Sequence, residues 1–323
     1  MASPNLSEMV TTTLRQRSGE IHDNVTSNNA LLYRLKERGR IKTFSGGRTI
    51  VEELSYAENS TYKRYSGYET LDVSASDVLS AAEYNIKQAA VAVTVSGLEE
   101  LQNSGKEKMI DLVESRIEVA ESTMMNNLSA DIYSDGTADS GKQIGGLQSL
   151  IADAPSTGTV GGINRATYSF WRNYAYDATT DGGAAATSAN IQGYMNQVYI
   201  NVCRGTDMPD LIVADNNYYK LYLESLQTIQ RVTNEKMASA GFMNLKYMNA
   251  DVVLDGGYGS DAPTNHMYFI NSKYLKYRPH ASRNMVPLDP DRFATNQDAV
   301  VKLIGWAGNM TSSNNFTQGV LKD

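Results

Sequence analysis

The chain has 323 residues, 41% of them hydrophobic, enough for roughly two domains and a sizeable core. Its 29 basic and 36 acidic residues leave a net charge of −7, which argues against tight binding to a nucleic-acid backbone. The single cysteine, Cys203, excludes an internal disulfide, and neither a signal peptide nor a run of ~18 apolar residues is readable, so a soluble chain made in a cytoplasm is expected.

Residues 1–44 read as an arm, because apolar residues are sparse and the polar run 22–29 buries no core by itself. Within it, 30–36 has the pattern of a short helix ended by Gly39. Positive charge gathers at Arg34, Lys36, Arg38, Arg40 and Lys42, opposed by Glu37. Solvated charge, docking on an acidic neighbour and, more weakly, DNA contact are the three readings. Residues 45–80 read as a long hairpin, with a hinge at Ser45-Gly46-Gly47 and a strand over 48–54. Tyr56 lies near its outgoing end, and Tyr62, Tyr65 and Tyr68 mark its expected return. Aromatic residues outnumber aliphatic ones in that return, which suits a loop that finds its apolar partner on another molecule or, equally, a plain surface hairpin. Ala89, Val91, Val93 and Val95 alternate as a half-buried strand does.

The stretch 104–133 is the strongest helical signal. Ile110, Val113, Ile117, Ala120, Met124 and Leu128 recur at steps of three and four, forming one apolar stripe. Ser104 and Glu107 have capping-box spacing, and Gly136 is placed to close the far end. Asp111, Glu114, Glu118 and Glu121 share a flank of this helix. Like charges three or four residues apart destabilise a helix by ~0.2–0.5 kcal/mol per pair, so the flank is either a solvated face or the seat of a basic segment.

A small-residue crossover follows, 136–146, and then a mixed α/β region over 147–280. Ile191, Tyr194, Met195, Val198, Tyr199 and Val202 predict a helix stopped by Gly205; 218–230 predicts another, with Asp215 or Asn216 at its cap. Strands are expected over 210–214, 249–254 and 267–271, and a long central one over 299–307.

No catalytic constellation emerges. His22, His266 and His280 are far apart and in no metal-ligand pair; no GxSxG or GxxxxGK[ST] motif occurs. Cys203 reads as a packed small side chain, and the spacing of Asp207, Asp210 and Asp215 fits no standard cation site. The expectation is a non-enzyme without cofactor or metal.

The order of elements (polar arm, projecting hairpin, long helix, α/β region, final long strand) resembles the major capsid proteins of tailed bacteriophages, which have the HK97-like fold. The segment Asn271-Ser272-Lys273-Tyr274-Leu275-Lys276-Tyr277-Arg278-Pro279-His280, with Arg283-Asn284, resembles one branch of that family. So do Trp306-Ala307-Gly308-Asn309-Met310-Thr311, Ser313-Asn314 and Gln318-Gly319-Val320-Leu321. The resemblance implies an α+β fold with an N-terminal arm over 1–44, an E-loop over 45–80, a P-domain with its spine helix over 81–146, an A-domain over 147–280 and a return to the P-domain over 281–323. It implies hexamers and pentamers of the chain forming an icosahedral shell around double-stranded DNA, held without sequence specificity. Portal, scaffolding and decoration proteins follow as partners, and virion and host cytoplasm as locations. No membrane is implied. The arm is short, so scaffolding falls to a separate protein or to an earlier segment. Lys63 is the single lysine of the hairpin, and no cross-linking partner is assigned to it. The basic cluster, the four tyrosines and the acidic flank are the expected intersubunit contacts. An encapsulin-like compartment shell is the alternative, and a cytosolic hydrolase or binding protein a more distant one.

Overall fold

The computed structural model describes residues 29–98, 106–226, 244–254, 261–293 and 299–323, with side chains described for all of these except 106–114, 244, 289–293 and 299–300. Helix α1 (Ala30–Glu37) starts at Asn29, whose side chain accepts from the amides of Leu31 and Leu32 at 3.0 and 3.2 Å. It ends as Gly39 turns left-handed, at φ +63°. Leu31, Leu32 and Leu35 are fully buried in the larger of two cores, each contributing about 1.5–3 kcal/mol of transfer free energy. Beyond α1 the chain runs beside residues 277–280, Lys42 N–H donating to the Tyr277 carbonyl and Phe44 N–H to that of Pro279. The expectation of an arm without a core is therefore corrected for residues 30–44; residues 1–28 lie outside the described residues.

Strands β1 (Thr49–Ser55) and β2 (Leu79–Asn85) form the hairpin, in register from Thr49↔Asn85 to Ser55↔Leu79. The return strand is thus Leu79–Asn85 and not the tyrosine-bearing segment, so a boundary at residue 80 cuts through β2. The hairpin root also has an apolar face, with Ile50, Leu54, Ala82 and Tyr84 buried. Small residues in Leu79–Asn85 hide that face from a reading by hydrophobicity.

Strand β3 (Lys87–Ser96) pairs along its whole length with β13 (Ala299–Ser312), the longest strand among the described residues. On the opposite edge of β13 lie β12 (Val286–Phe293) and then β11 (Leu275–Pro279), completing a four-stranded sheet. Helix α2 (Lys106–Tyr133) packs on β3, and its Ile117, Ala120, Met124, Leu128 and Ile132 form a buried stripe in the same core as Val93 and Val95 of that strand. Its 28 residues make a rod of about 42 Å at ~1.5 Å per residue. The proposed cap at Ser104, the side chain of Glu107, and those of Ile110 and Val113, lie outside what is described. Past Gly136 (φ +76°) the chain returns beneath the helix end, where a Cβ on Gly146 would lie 2.4 Å from the Ile132 carbonyl. Only glycine fits there.

A short helix, α3 (Leu147–Leu150), and the two-residue strands β4 (Thr159–Val160) and β5 (Ile163–Asn164) lead to a six-stranded sheet. It contains β6 (Tyr174–Asp177), β7 (Leu211–Ala214), β8 (Asn244–Tyr247), β9 (Ala250–Leu254), β10 (His266–Ile270) and β14 (Gly319–Lys322), in the order β6-β14-β10-β7-β9-β8. Helices α4 (Ile191–Val202) and α5 (Asn216–Ser225) cover it, α5 capped by Asp215 as expected. The chain thus changes sheets twice near its end. β11, expected within the α/β region, belongs to the four-stranded sheet. β14, expected to return there, pairs instead with β10 and β6.

The terminal motifs have structural reasons. Asn309 accepts from the amide of Gly145 at 3.1 Å and donates to the carbonyl of Asn85 at 2.8 Å, tying the crossover, the hairpin and the long strand together. Gln318 exchanges two hydrogen bonds with the backbone of Asn271, and a Cβ on Gly319 would sit 2.8 Å from Val198 of α4.

Candidate functional site

The feature that projects from this body is the hairpin, and its root is fastened by charge. Glu52, only 3% exposed, accepts from Lys276, from Arg278 at 2.9 Å and from the Thr311 hydroxyl at 3.0 Å. The paired strand contributes Tyr84, whose hydroxyl donates to the Ser312 carbonyl at 2.9 Å; burial pushes that phenol's pKa well up. The neck closes where Tyr56 N–H meets the Val78 carbonyl at 3.1 Å. Beyond it, residues 57–78 carry no strand, and Tyr62 and Tyr65 are 79% and 63% exposed, with Tyr68 fully so. Tyr56 is unlike them: it stacks on Phe170 of the same chain, ring centroids 5.4 Å apart. Lys63 pairs with Glu69 across the tip at 3.1 Å.

The basic cluster divides. Arg34 is 6% exposed and bridges Glu37, the Asp210 carbonyl and the carboxylate of Asp251. Burial alone would lower its pKa, but these acids outweigh that and raise it. Arg34 is therefore corrected from a docking residue to an internal ion joining α1 to the six-stranded sheet; the desolvation cost of a cation this deep is offset by such partners. Arg38 stays exposed and reaches Asp210 at 3.4 Å. Lys36 and Lys42 are exposed, and Arg40 is half-buried. On α2, Glu118 is exposed and Glu121 half-buried; the side chains of Asp111 and Glu114 lie outside what is described.

The residues weighed for chemistry have structural work. Asp207 accepts from Lys273 and Tyr274, Asp210 from Ser272, and Asp215 caps α5. No group of three or more His, Cys, Asp or Glu among the described residues is arranged to hold a metal ion. Cys203 is half-buried, its thiol pKa raised by burial. His280 meets Phe44 edge-on at 5.0 Å, and His22 lies outside the described residues. No described helix is long and apolar enough to cross a membrane.

His266 was missed as an electrostatic element. Its two ring nitrogens face acceptors, the Thr264 carbonyl at 2.8 Å and the Asp153 carboxylate at 3.0 Å, so the doubly protonated ring fits best. Burial disfavours the charge, but the bonds to Asp153 and Thr264, with Asp215 nearby, outweigh it and raise the pKa. A raised histidine pKa contributes stability that is complete below the unfolded value of ~6.5 and is lost as pH rises through the folded value. Thermal melts of wild type and His266→Gln should thus diverge most in acid and converge in alkali. Parallel pH profiles would sink this assignment.

No family model and no curated protein match the sequence. Solved structures do. The chain matches the capsid asymmetric unit of cyanophage A-1(L) with a TM-score of 0.63 at 17% identity, over 88% of this chain and 90% of that one. The capsid of Myoviridae phage XM1 matches with a TM-score of 0.50 at 13% identity, over 89% and 91% of the two chains. The SrpI encapsulin complex of Synechococcus elongatus PCC 7942 matches with a TM-score of 0.52 at 10% identity, over 90% and 86%. With a long helix on a sheet, a second sheet covered by helices and a projecting hairpin, the chain has the HK97-like fold.

Proposed function

We propose that this chain is a major capsid protein, which assembles into the icosahedral shell around the double-stranded DNA of a tailed bacteriophage. The observation that carries the reading is the hairpin: its root is clamped to a capsid-like body while its tip leaves three tyrosines in solvent. Exposed aromatic rings on a projection are apt for contacts with other copies. In this reading β1 and β2 with their loop are the E-loop. The four-stranded sheet with α2 is the P-domain, and the six-stranded sheet with α4 and α5 is the A-domain. Hexamers and pentamers of the chain would build the wall, with portal and scaffolding proteins as partners and, in some shells, a decoration protein. Its role is structural and not enzymatic, in the virion and, during assembly, in the host cytoplasm.

Size-exclusion chromatography and electron microscopy of the expressed chain test this directly: megadalton closed particles are expected, and a small oligomer would overturn it. The encapsulin-like alternative is favoured by the SrpI match; packaged long double-stranded DNA in particles from infected cells decides for the capsid, protein cargo for the compartment. At net −7 the subunit offers DNA no general positive field. Purified subunits should bind duplex DNA weakly, and sub-micromolar affinity at ~150 mM salt would contradict that.

The acidic flank of α2 and the exposed basic residues after α1 are proposed to meet between subunits. One exposed pair is worth only ~0–1 kcal/mol, but a shell repeats it at every contact. Reversing Glu114 and Glu118 to Lys should leave folding nearly unchanged while closure fails or becomes salt-sensitive. Adding Lys42→Glu should partly restore it; Arg38 is left alone because it faces Asp210. Normal closure of the first variant at low salt would make the flank a solvated face.

A further inference from the structure

A recess of about 410 Å³ opens at the root of the hairpin, with Glu53, Tyr56, Phe170, Trp171, Arg204 and Phe316 among its lining residues. Tyr56, Phe170, Trp171, Tyr274 and Phe316 give it aromatic walls, interrupted by the polar side chains of Glu53, Ser55, Arg204, Ser313 and Asn314. Tyr56 stacks on Phe170, Phe170 meets Trp171 at 6.5 Å, and buried Trp171 is held by a hydrogen bond from its ring nitrogen to the Val160 carbonyl at 3.0 Å. Phe316, at the mouth, is exposed, and the Arg204 guanidinium lies 6.0 Å from its ring centre. Rigid aromatic walls beside a guanidinium are suited to another aromatic ring.

The same molecule carries such a ring without a seat. Tyr62, 79% exposed at the hairpin tip, does not enter the recess of its own chain. Charge fits as well. Glu58 and Arg64 flank Tyr62, while Glu53 and Arg204 flank the recess, and none of these four forms an ion pair with a described residue. Setting Arg64 against Glu53 and Glu58 against Arg204 would satisfy all four.

We infer that the recess receives Tyr62 from the hairpin tip of a second copy of this chain. Tip and recess are different surfaces, so the contact is head-to-tail and generates a ring where the rotation closes. This rests on the shell-subunit reading and adds to it the seat of the tip. The root clamp at Glu52 then has a further role: it holds a copy's own recess wall, Tyr56, in place for its neighbour.

The test uses the full chain with Cys203→Ala, Thr61→Cys and Asn314→Cys, which leave Tyr62 and Phe316 in place, assembled and then treated with oxidised glutathione. A non-reducing gel of closed particles should show a ladder of linked subunits up to a ring, while each variant with one new cysteine gives no ladder. In parallel, Tyr62→Ala should lower the yield of closed particles about tenfold, as loss of a central aromatic contact does, and Tyr62→Phe should keep it. Tyr62 is exposed, so neither change threatens folding. Closed particles without the ladder, or an unchanged yield with Tyr62→Ala, overturn the seat and leave the shell reading intact. If the wild-type chain forms no particles at all, both fall.

Discussion

Replacing Glu52 by alanine is expected to destabilise the subunit by about 3 kcal/mol, the lower part of the ~3–5 kcal/mol typical of removing one partner from a buried ion pair. The lower part applies because Lys276 and Arg278 keep 19% and 18% of their side chains exposed and regain some hydration when the carboxylate is gone. Thr311, fully buried, would also lose its acceptor. Glu52→Gln retains the shape and one acceptor but not the charge, so it should fall between alanine and wild type. Glu53→Ala is the control: its side chain is exposed, and surface changes cost within ~0.5 kcal/mol. Urea unfolding, with midpoints compared at constant m-value, reads the difference. If Glu52→Ala costs no more than Glu53→Ala, the clamp contributes nothing to the root.

That clamp marks where a single chain stops being informative. The stripe of α2, helix α4 and the cap of α5 were legible because each signal lies within a few residues: spacing of three and four, a side chain before the first turn, a glycine after the last. The strand 299–307 was legible for the same reason, as a long run that is apolar apart from Lys302. Its last residues were not, because Asn309, Thr311 and Ser312 look like the start of a loop. They are buried in the structure with hydrogen bonds to Asn85, Glu52 and the Tyr84 ring hydroxyl, all more than two hundred residues away. Arg34 failed in the same way. A cation beside Lys36 and Arg38 reads as surface charge, and only Asp210 and Asp251, brought up by the second sheet, make it internal. The return strand of the hairpin was displaced because its tyrosine-rich tip imitates strand composition, while the true strand Leu79–Asn85 is rich in small residues. The candidate contacts at the tip were legible as composition. The recess that would accept them was not, since its walls come from five separate stretches of chain.

The largest effect on assembly is expected from deleting 58–67, which removes Tyr62 and Tyr65 together with the charges around them. The deletion lies beyond the neck closed by Tyr56 and Val78, leaving β1, β2, the Glu52 clamp and the Tyr84–Ser312 bonds intact. Shortening an exposed loop changes closure entropy by only about 0.6 kcal/mol per factor of two in length, and in the stabilising direction. Helix content and the unfolding midpoint should therefore stay close to wild type. Closed particles should disappear, because every subunit in a ring would lose its outgoing contact at once. Amide hydrogen exchange gives the complementary result: residues 57–78 should exchange rapidly in the isolated subunit and become protected in the particle, as expected of a segment whose apolar partner lies on another molecule. A deletion variant that is folded yet still forms normal shells would show that the tip is not the clamp between subunits, and assembly would then have to be carried by the sheet and helix surfaces of the body.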